Sequence, residues 1–262
     1  MLPVISGRHS FTRALRLLHM QKTAIIIPCY NEQARLNMEC IVQFLSTRGN
    51  MMAVFVNDGS DDQTSQVIEE IRSQLPAQVR MVKHEKRKGK AEAVRSGLME
   101  SMKDPEVTIH GYLDADLAVS LEEFERLSNL MAGSGKTFIL GSRIKKVGSR
   151  ISRNEFRHFY SRFIATLVGY ITKLDVYDTQ CSAKMFRTSI IPVITREPFR
   201  TRWLFDVELI DRIRKHVGEL NDHGHEEPLL AWDEKKGSKL RWFNFFSIMR
   251  ELFILRKYHR KE

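Results

Sequence analysis

The chain has 262 residues, of which 42% are hydrophobic and 28% are charged, so its composition provides for a sizeable core in one large domain or two small ones. Its formal net charge is +10, and such a basic surface attracts the phosphates of nucleotides, nucleic acids or anionic lipids without distinguishing among them. The three cysteines, Cys29, Cys40 and Cys181, lack paired spacing. They argue against a disulfide framework or a zinc site and fit a reducing compartment, most simply the cytosol.

The first segment, residues 1–22, is basic but has no long apolar centre. We interpret it as an amphipathic or frayed leader and not as a signal peptide. No apolar run in the chain approaches the ~20 residues that a membrane-spanning helix needs.

Strand and helix patterns then alternate over the first half of the chain. Five segments are short, apolar and rich in β-branched residues, which predicts strands: TAIIIPCY, MMAVFVN, VRMVKHEK, VTIHGYLDAD and KTFILGSRI. The segments between them carry apolar residues at helical spacing, which predicts helices: NEQARLNMECIVQFLSTRG, SDDQTSQVIEEIRSQL, GKAEAVRSGLMESMK and SLEEFERLSNLMAG.

Such strand–helix repeats predict an α/β fold with a mostly parallel sheet flanked by helices. In these sheets ligands bind beyond the carboxyl ends of the strands. Five polar clusters of the sequence fall at that edge, which we call the carboxyl rim: PCYNE, NDGSDD, KRKGKA, DAD and GSR. The rim is therefore the predicted site.

The pattern changes after about Arg143. An aromatic-rich helix is predicted over 152–174, and a basic, amphipathic helix ends the chain. No internal repeat, low-complexity tract or linker separates the halves, so we expect the second half to pack on the first. The expected organisation is a leader over 1–22, one domain over 23–240 and a C-terminal helix over 241–262.

The triplet Asp114-Ala115-Asp116 allows two interpretations. In an extended strand, residues i and i+2 point to the same side, so the two carboxylates could bind Mg²⁺ or Mn²⁺ that bridges to a phosphate. Alternatively, one acid caps the helix that follows and the other is solvated. The triplet by itself leaves both readings open.

The other rim clusters are ambiguous in the same way when each is taken alone. The basic residues around Gly89 suit a phosphate at a helix N-terminus, or they form a solvated basic turn. Asp58 could accept hydrogen bonds from a nucleobase imide or a ribose hydroxyl, or it could serve the turn. Tyr30 could stack on a base and Glu32 could bind a ribose, although a Tyr at a strand end is more often packed.

Taken together, the motifs resemble glycosyltransferase family 2. The resemblance covers roughly the first 145 residues through IIIPCYNE, VNDGSDDQT, KGKAEAVRSGL and LDADL, in this order. The later segments DTQCSAKMFR, WLFDVELI and Trp232-x-Glu234 followed by GSKL are similar to the branch of dolichyl-phosphate glucosyl- and mannosyltransferases, and more to its glucosyl side.

The resemblance implies a GT-A fold, a divalent cation (Mg²⁺ or Mn²⁺) and inverting transfer of a hexose, glucose before others, from a nucleotide-sugar that is most simply a UDP-sugar. Matched motif by motif, it implies that the nucleoside is held by Pro28, Tyr30, Glu32, Val56 and Asp58. It places Lys90 near the diphosphate and assigns the metal and donor to Asp114, Ala115 and Asp116. The chain departs from the family at Asn57, where many members have an acid, and in lacking visible membrane-spanning helices.

The acceptor that the resemblance implies is a polyprenyl phosphate, which sets a different chemical requirement from a sugar hydroxyl. A phosphate monoester has its second pKa around 6 and is largely dianionic at neutral pH, so it needs no strong base. It needs cations instead, and the second half offers Arg143, Lys184, Arg202, Lys236 and Lys239. We expect catalytic roles for Asp116, Arg143 and Lys239; Asp206 or Glu208 would be the base only with a hydroxyl acceptor.

The C-terminal helix has an aromatic face with basic borders, running from Trp242 to Leu255. This face suits the interface of an anionic membrane, which would place the protein at the cytoplasmic side of a membrane surface. A helix packed on the core or in an oligomer explains the pattern equally well. The oligomeric state stays open.

Two other functions stay open: a family 2 enzyme that acts on a sugar hydroxyl of a glycan or glycolipid, and a metal–nucleotide-binding α/β protein that is not a transferase. Nucleic-acid binding is disfavoured because the basic residues lie beside acids and no recognised module occurs. A dinucleotide-dependent dehydrogenase is disfavoured because the first strand lacks G-x-G-x-x-G.

Overall fold

The structure, a computed structural model, describes residues 21–152, 166–169, 171–172, 174–233 and 245–259. Four parallel strands build the first half of its central sheet at the predicted segments: β1 Lys22–Cys29, β2 Met51–Asn57, β3 Val79–Lys83 and β4 Val107–Tyr112. They alternate with α1 Met38–Ser46, α2 Thr64–Gln74, α3 Lys90–Ser101 and α4 Leu121–Gly133. β1 thus begins at the last residue of the predicted leader.

The second half of the chain extends the same sheet. It adds β5 Phe138–Ser142, β7 Lys184–Arg187 and β8 Gly224–Pro228, giving the order β3-β2-β1-β4-β7-β5-β8. β7 is antiparallel to both neighbours, and β5 and β8 are parallel. The mostly parallel α/β sheet is confirmed, but β7 and β8 were not predicted because each is short and strongly polar.

A small second sheet, a 3-10 turn at Thr188–Ile190 and four late α-helices follow in the second half. β6 Arg150–Ser152 pairs in parallel with β9 Ala231–Asp233. The helices are α5 Ile191–Thr195, α6 Phe205–Val217, α7 Leu220–His223 and α8 Phe245–His259. Of the aromatic helix predicted over 152–174, residues 166–169 and 171–172 are helical, and most of the remainder lies outside the described residues.

The central sheet separates two hydrophobic cores. Helices α1, α2 and α4 cover one face, and α3, α5, α6 and α8 cover the other. Residues 25–27 of β1 have no exposed surface, and burying each such side chain contributes about 1.5–3 kcal/mol. A Cβ on Gly97 of α3 would lie 2.4 Å from Ile26 Cγ2. The helix can therefore approach β1 this closely only because residue 97 has no side chain. This packing fixes the N-terminus of α3 at the carboxyl rim.

The last helix packs on the core through part of the face predicted for a membrane. Ile248, Leu252 and Leu255 are 1–5% exposed and belong to the core beneath α6, whereas Phe253 is 66% exposed on the outer side. Trp242 and Phe243 lie outside the described residues. The core-packed interpretation is therefore correct for the inner face. Among the described residues, no helix combines the length and the apolar character needed to cross a bilayer.

Candidate active site

The carboxyl rim brings the predicted clusters together. Tyr30 follows β1, Asp58 follows β2, Asp114 lies two residues beyond β4 and Arg143 follows β5. Because β1, β2 and β4 are parallel and adjacent, their carboxyl ends present these side chains along one edge.

Asp58 fastens the basic loop to the rim. Its carboxylate accepts hydrogen bonds from the backbone amides of Lys88 at 2.8 Å and Gly89 at 2.7 Å, and it contacts His84 Nδ1 at 2.8 Å. His84 Nε2 in turn lies 3.0 Å from Ser96 Oγ on α3. Asp58 is only 2% exposed, so its first task is to hold the loop before α3 in place. A carboxylate has about four acceptor sites, which leaves room for a nucleoside contact.

The nucleoside residues predicted around β1 divide into two groups. Tyr30 is half-buried, and the Arg87 guanidinium lies 4.0 Å from the centre of its ring. Glu32 forms an ion pair with Arg35, and its backbone amide donates to Thr64 Oγ1. Both residues reach the rim, and Tyr30 already carries a cation on one face of its ring.

The other two nucleoside residues lie deeper in the strands. Pro28 is half-buried in β1 and pairs with Val56 of β2. Val56 is fully buried in the hydrophobic core. The expectation that Val56 touches the nucleotide is therefore not supported by its position one residue inside the strand.

The two carboxylates of the DAD triplet are presented by a turn and not by an extended strand. β4 ends at Tyr112, and Leu117 has a positive φ of 50° and donates its amide to the Asp114 carbonyl. The i,i+2 strand argument is therefore wrong, although both carboxylates stay partly exposed while Ala115 between them is buried.

Neither aspartate caps the following helix. The N-cap of α4 is Ser120, whose hydroxyl accepts from the amide of Glu123, whereas Asp116 accepts from the amide of Ala118 at 3.1 Å. The capping interpretation of the triplet is wrong, which leaves both carboxylates on the rim without a structural role in that helix.

Lys90 forms an ion pair with Asp114. Its ammonium lies 2.5 Å from Asp114 Oδ1, and the two side chains are 38% and 39% exposed. Burial alone would raise the pKa of Asp114, but Lys90, the Ser182 hydroxyl and the charge of Arg143 outweigh it and hold that pKa below its usual value. Asp114 is thus a carboxylate that a cation already stabilises.

A divalent cation fits this pair of acids. Carboxylate oxygens are the ligands that Mg²⁺ and Mn²⁺ prefer, and such ions commonly take one or two carboxylates and complete their shell with water and substrate phosphates. In the part of the chain that the structure describes, no group of three or more His, Cys, Asp or Glu side chains surrounds a single point. Two carboxylates would leave the remaining positions of such a cation to water and substrate phosphates.

Near the Lys90–Asp114 pair, Asp206 and Lys184 form a second ion pair, which is buried. Lys184 Nζ lies 2.7 Å from Asp206 Oδ1, the Tyr112 hydroxyl donates to the same oxygen, and Lys184 also donates to the Cys181 carbonyl. Lys184 has no exposed surface. The expectation that Lys184 binds an acceptor phosphate is therefore not supported, because its ammonium faces Asp206 of α6 and the Cys181 carbonyl.

Arg143 is also committed to a carboxylate. Its Nε and Nη2 bind the two oxygens of Asp178 at 2.7 and 2.8 Å, and its backbone amide binds the same carboxylate. Glu226 of β8 accepts from the amides of Tyr177 and Asp178, which fixes that loop in turn. Arg143 keeps further N–H groups for a phosphate, on a guanidinium held rigidly in place.

Arg202 is an exposed cation of the later half, and it lies beside the first half. Its Nε would lie 3.7 Å from a Cβ on Gly89, the residue before Lys90. Of the remaining predicted residues, Lys236 and Lys239 lie outside the described residues, as does Glu234, whereas Trp232 is half-buried beside Arg143.

Several residues that shape the site escaped the sequence analysis. His84, Asp178 and Glu226 each bind a loop of the rim, and only His84, directly after β3, stood at a position that could have indicated it. Glu208 accepts from the amides of Arg200 and Thr201 and pairs with Arg212. It is a buried anchor and not a free base.

Comparison with known proteins identifies the family. Residues 24–194 match the profile of Glycosyl transferase family 2, which is well over half of the chain. The chain belongs to this family. This family 2 protein is 25% identical over 252 residues to a dolichyl-phosphate beta-glucosyltransferase of Trichomonas vaginalis, covering 90% of this chain and 73% of that one.

Two further relatives have similar names. The dolichyl-phosphate beta-glucosyltransferase of Mus musculus is 27% identical over 252 residues, covering 90% of this chain and 75% of that one. The dolichol-phosphate mannosyltransferase of Pyrococcus furiosus is 28% identical over 247 residues, covering 90% of this chain and 64% of that one. The similarity to these relatives extends beyond the family match into the later half.

The fold also matches a solved structure. The crystal structure of glucosyl-3-phosphoglycerate synthase from Mycobacterium tuberculosis in complex with Mn²⁺, UDP-glucose and phosphoglyceric acid superposes with a TM-score of 0.68. It covers 99% of this chain and 85% of that one at 14% sequence identity. This likeness confirms the predicted GT-A fold.

Proposed function

We propose that this chain transfers glucose, with inversion, from UDP-glucose to the phosphate of a polyprenyl phosphate at a membrane surface. The relatives named as dolichyl-phosphate glucosyltransferases align with 84–90% of the chain, including segments beyond the family match. The structural observation that carries the proposal is the absence of a free carboxylate at the two positions proposed for a base.

Both candidate bases are engaged in protein contacts. Asp206 is shared by Lys184 and Tyr112, and Glu208 accepts from two backbone amides, the Thr201 hydroxyl and Arg212. A hydroxyl acceptor needs a base near its proton, whereas a phosphate dianion does not. The arrangement therefore supports the phosphate acceptor over the hydroxyl acceptor.

In the proposed reaction an acceptor phosphate oxygen bonds to the anomeric carbon while the bond from that carbon to the diphosphate breaks, and UDP leaves. Asp114 and Asp116 would hold Mg²⁺ or Mn²⁺, which supplies positive charge to the leaving diphosphate when bound. Lys90 adds a second positive charge beside it, and Arg143 and Arg202 hold the acceptor phosphate. Asp58, Tyr30 and Glu32 hold the nucleoside.

The decisive experiment measures UDP release and sugar transfer from UDP-glucose, with GDP-mannose as the competing donor, with and without polyprenyl phosphate. We expect transfer only with Mg²⁺ or Mn²⁺ and polyprenyl phosphate present, and a β-linked product by NMR. Transfer to a glycan hydroxyl and not to the lipid phosphate would contradict the acceptor, and binding of UDP without turnover of any donor would contradict the enzyme.

The membrane proposal rests on the outer face of α8. Phe253 is 66% exposed, and the exposed cations Arg250, Arg256 and Lys257 surround it. An exposed aromatic side chain with basic neighbours suits a bilayer that contains anionic lipid. This surface would hold the protein at the cytoplasmic face, where the rim meets its lipid substrate.

Truncation of α8 would not test this proposal, because it removes buried core residues as well. Replacement of Phe253 by Asp leaves the inner face intact, and Leu130→Asp on α4, at a leucine that is 39% exposed, is the matched control. We expect Phe253→Asp to reduce flotation with phosphatidylserine vesicles and Leu130→Asp to leave it unchanged. Equal flotation of both variants and the wild type would contradict the proposal that the outer face of α8 binds the membrane.

A further inference from the structure

Five consecutive backbone amides run from Arg200 to Leu204, and all of them donate to two buried carboxylates. Glu208, from the helix that follows, accepts from the first two amides. Glu251, from the last helix, accepts from the other three: Arg202 at 3.1 Å, Trp203 at 2.9 Å and Leu204 at 2.9 Å. The loop 200–204 is therefore held from two directions, once locally and once from 47 or more residues away.

Glu251 is the only acidic residue among 245–259. It is 8% exposed and lies beside Leu252, within the face of α8 that packs on the core. A buried carboxylate is strongly destabilising unless hydrogen-bond donors surround it, and three backbone amides donate to this one. The core packing of α8 thus aims this carboxylate at one loop.

The loop that Glu251 holds carries groups on both sides of the site. Arg202 lies against Gly89, which has φ +99°, donates its amide to Asp58 and precedes Lys90. Two residues after Leu204, Asp206 of α6 reaches the buried lysine. A shift of this loop would therefore move an exposed cation at the rim.

We propose that Glu251 is a positioning residue of the transfer reaction, which acts by fixing Arg202 beside the Gly89–Lys90 turn. The assignment of a phosphate to Arg202 rests on the proposed function. The last helix would then be part of the catalytic apparatus through its inner face, whatever its outer face binds. Misplacing a charged contact by about 1 Å can lower turnover by about 100-fold, which makes the effect measurable.

The test is a double-mutant cycle in the full-length chain, with the acceptor that the wild type uses. Glu251→Gln keeps the side-chain volume but turns a donor towards the amides, and Arg202→Ala removes the cation. We expect each to lower kcat/KM for the acceptor at least about tenfold, with the KM for UDP-glucose changed less than about threefold. If Glu251 acts through Arg202, the double variant is no slower than Arg202→Ala.

Two further variants separate positioning from stability. Glu251→Asp keeps the charge and the fold while withdrawing the carboxylate by one methylene, and we expect it to restore part of the lost turnover. Glu197→Gln, at the exposed partner of Arg200 before the same loop, should behave as the wild type.

The proposal is overturned if Glu251→Gln and Glu251→Asp lower the melting temperature but match Glu197→Gln in kcat/KM, or if the losses of Glu251→Gln and Arg202→Ala add. A different result would contradict the proposed function instead: turnover with a glycan acceptor and none with polyprenyl phosphate. In that case, kcat/KM in the double-mutant cycle would be measured with the glycan acceptor.

Discussion

Two Lys–Asp ion pairs lie on the same side of the sheet. They differ in burial, and this difference decides whether the pair can bind a ligand. Lys90 and Asp114 are 2.5 Å apart with side chains 38% and 39% exposed, whereas Lys184 and Asp206 are 2.7 Å apart at 0% and 6%. The exposed pair can exchange its partners for solvent or a ligand at little cost, because exposed pairs contribute at most about 1 kcal/mol. The buried pair has no such freedom.

A charged residue in a family motif is therefore not by itself a ligand contact. Lys184 and Lys90 have the same chemistry, and both were expected to lie near a phosphate. Only their surroundings distinguish a cation held by Asp206 and the Cys181 carbonyl from one at the solvent edge. Replacements in the two pairs should therefore affect different measurements.

The largest effect is expected at the acids of the exposed site. Asp116→Ala should lower transfer by at least about 1000-fold, because the leaving diphosphate loses its cation, while the melting temperature changes by less than about 3 °C. Transfer assays and thermal denaturation of the same preparations measure both. If the Asp116→Ala variant stays active, Asp116 has no catalytic role, and its carboxylate serves only to accept the hydrogen bond from the amide of Ala118.

The next effect is expected in the buried pair, and it concerns stability. Lys184→Met leaves Asp206 buried without its cation and should lower the free energy of unfolding by about 3–5 kcal/mol. Lys90→Met is the matched control and should lower it by less than about 1 kcal/mol. Urea denaturation distinguishes the two variants. Similar losses of stability in both would contradict the conclusion that burial makes the two pairs different.

His110 is a buried basic residue whose contacts are hydroxyl groups and not a carboxylate, unlike those of Lys184. His110 of β4 has no exposed surface and contacts Ser101 Oγ and Thr188 Oγ1, and its burial lowers its pKa from 6.5 to about 4. Between these two pKa values the unfolded chain binds a proton and the folded chain does not. Stability should therefore fall as the pH falls from 6.5 towards 4, by a total on the order of 3 kcal/mol.

The measurement is the free energy of unfolding by urea between pH 7 and pH 4. His110→Gln should flatten the dependence in this window, and His223→Gln, at an exposed histidine of α7, should keep the slope of the wild type. An unchanged slope in His110→Gln would assign the acid sensitivity to other groups.

The smallest effect is expected when only the cation of the exposed pair is changed. Lys90→Gln should weaken UDP binding by about tenfold, because one charged contact with the diphosphate is lost. Without nucleotide, the same variant should bind Mn²⁺ several-fold more tightly, because Asp114 no longer has a competing ammonium. Titration calorimetry measures both affinities, and a parallel loss of UDP and Mn²⁺ binding would show that Lys90 does not compete for Asp114.

Much of the site was predictable because it follows directly from parallel strands. The apolar segments fixed β1 to β5, and the polar residues just after them had to meet at one edge, as Tyr30, Asp58 and Asp114 do. The sequence did not show that the Val56 side chain is buried one step inside its strand, or that a turn replaces the extended chain at Asp114. A one-residue difference at a strand end changes which groups reach solvent.

The family, the parallel half of the sheet and the rim follow from the amino-acid sequence, because hydrophobic periodicity and motif order are local properties of a chain. Which charged side chains are buried in ion pairs and which reach the rim depends on the packing of the folded chain. The buried contact of Lys184 joins β7 to α6, and Glu251 reaches the loop of Arg202 across 47 to 49 positions. Such pairings depend on how distant segments pack, and a buried charge is stable only where packing supplies its partner.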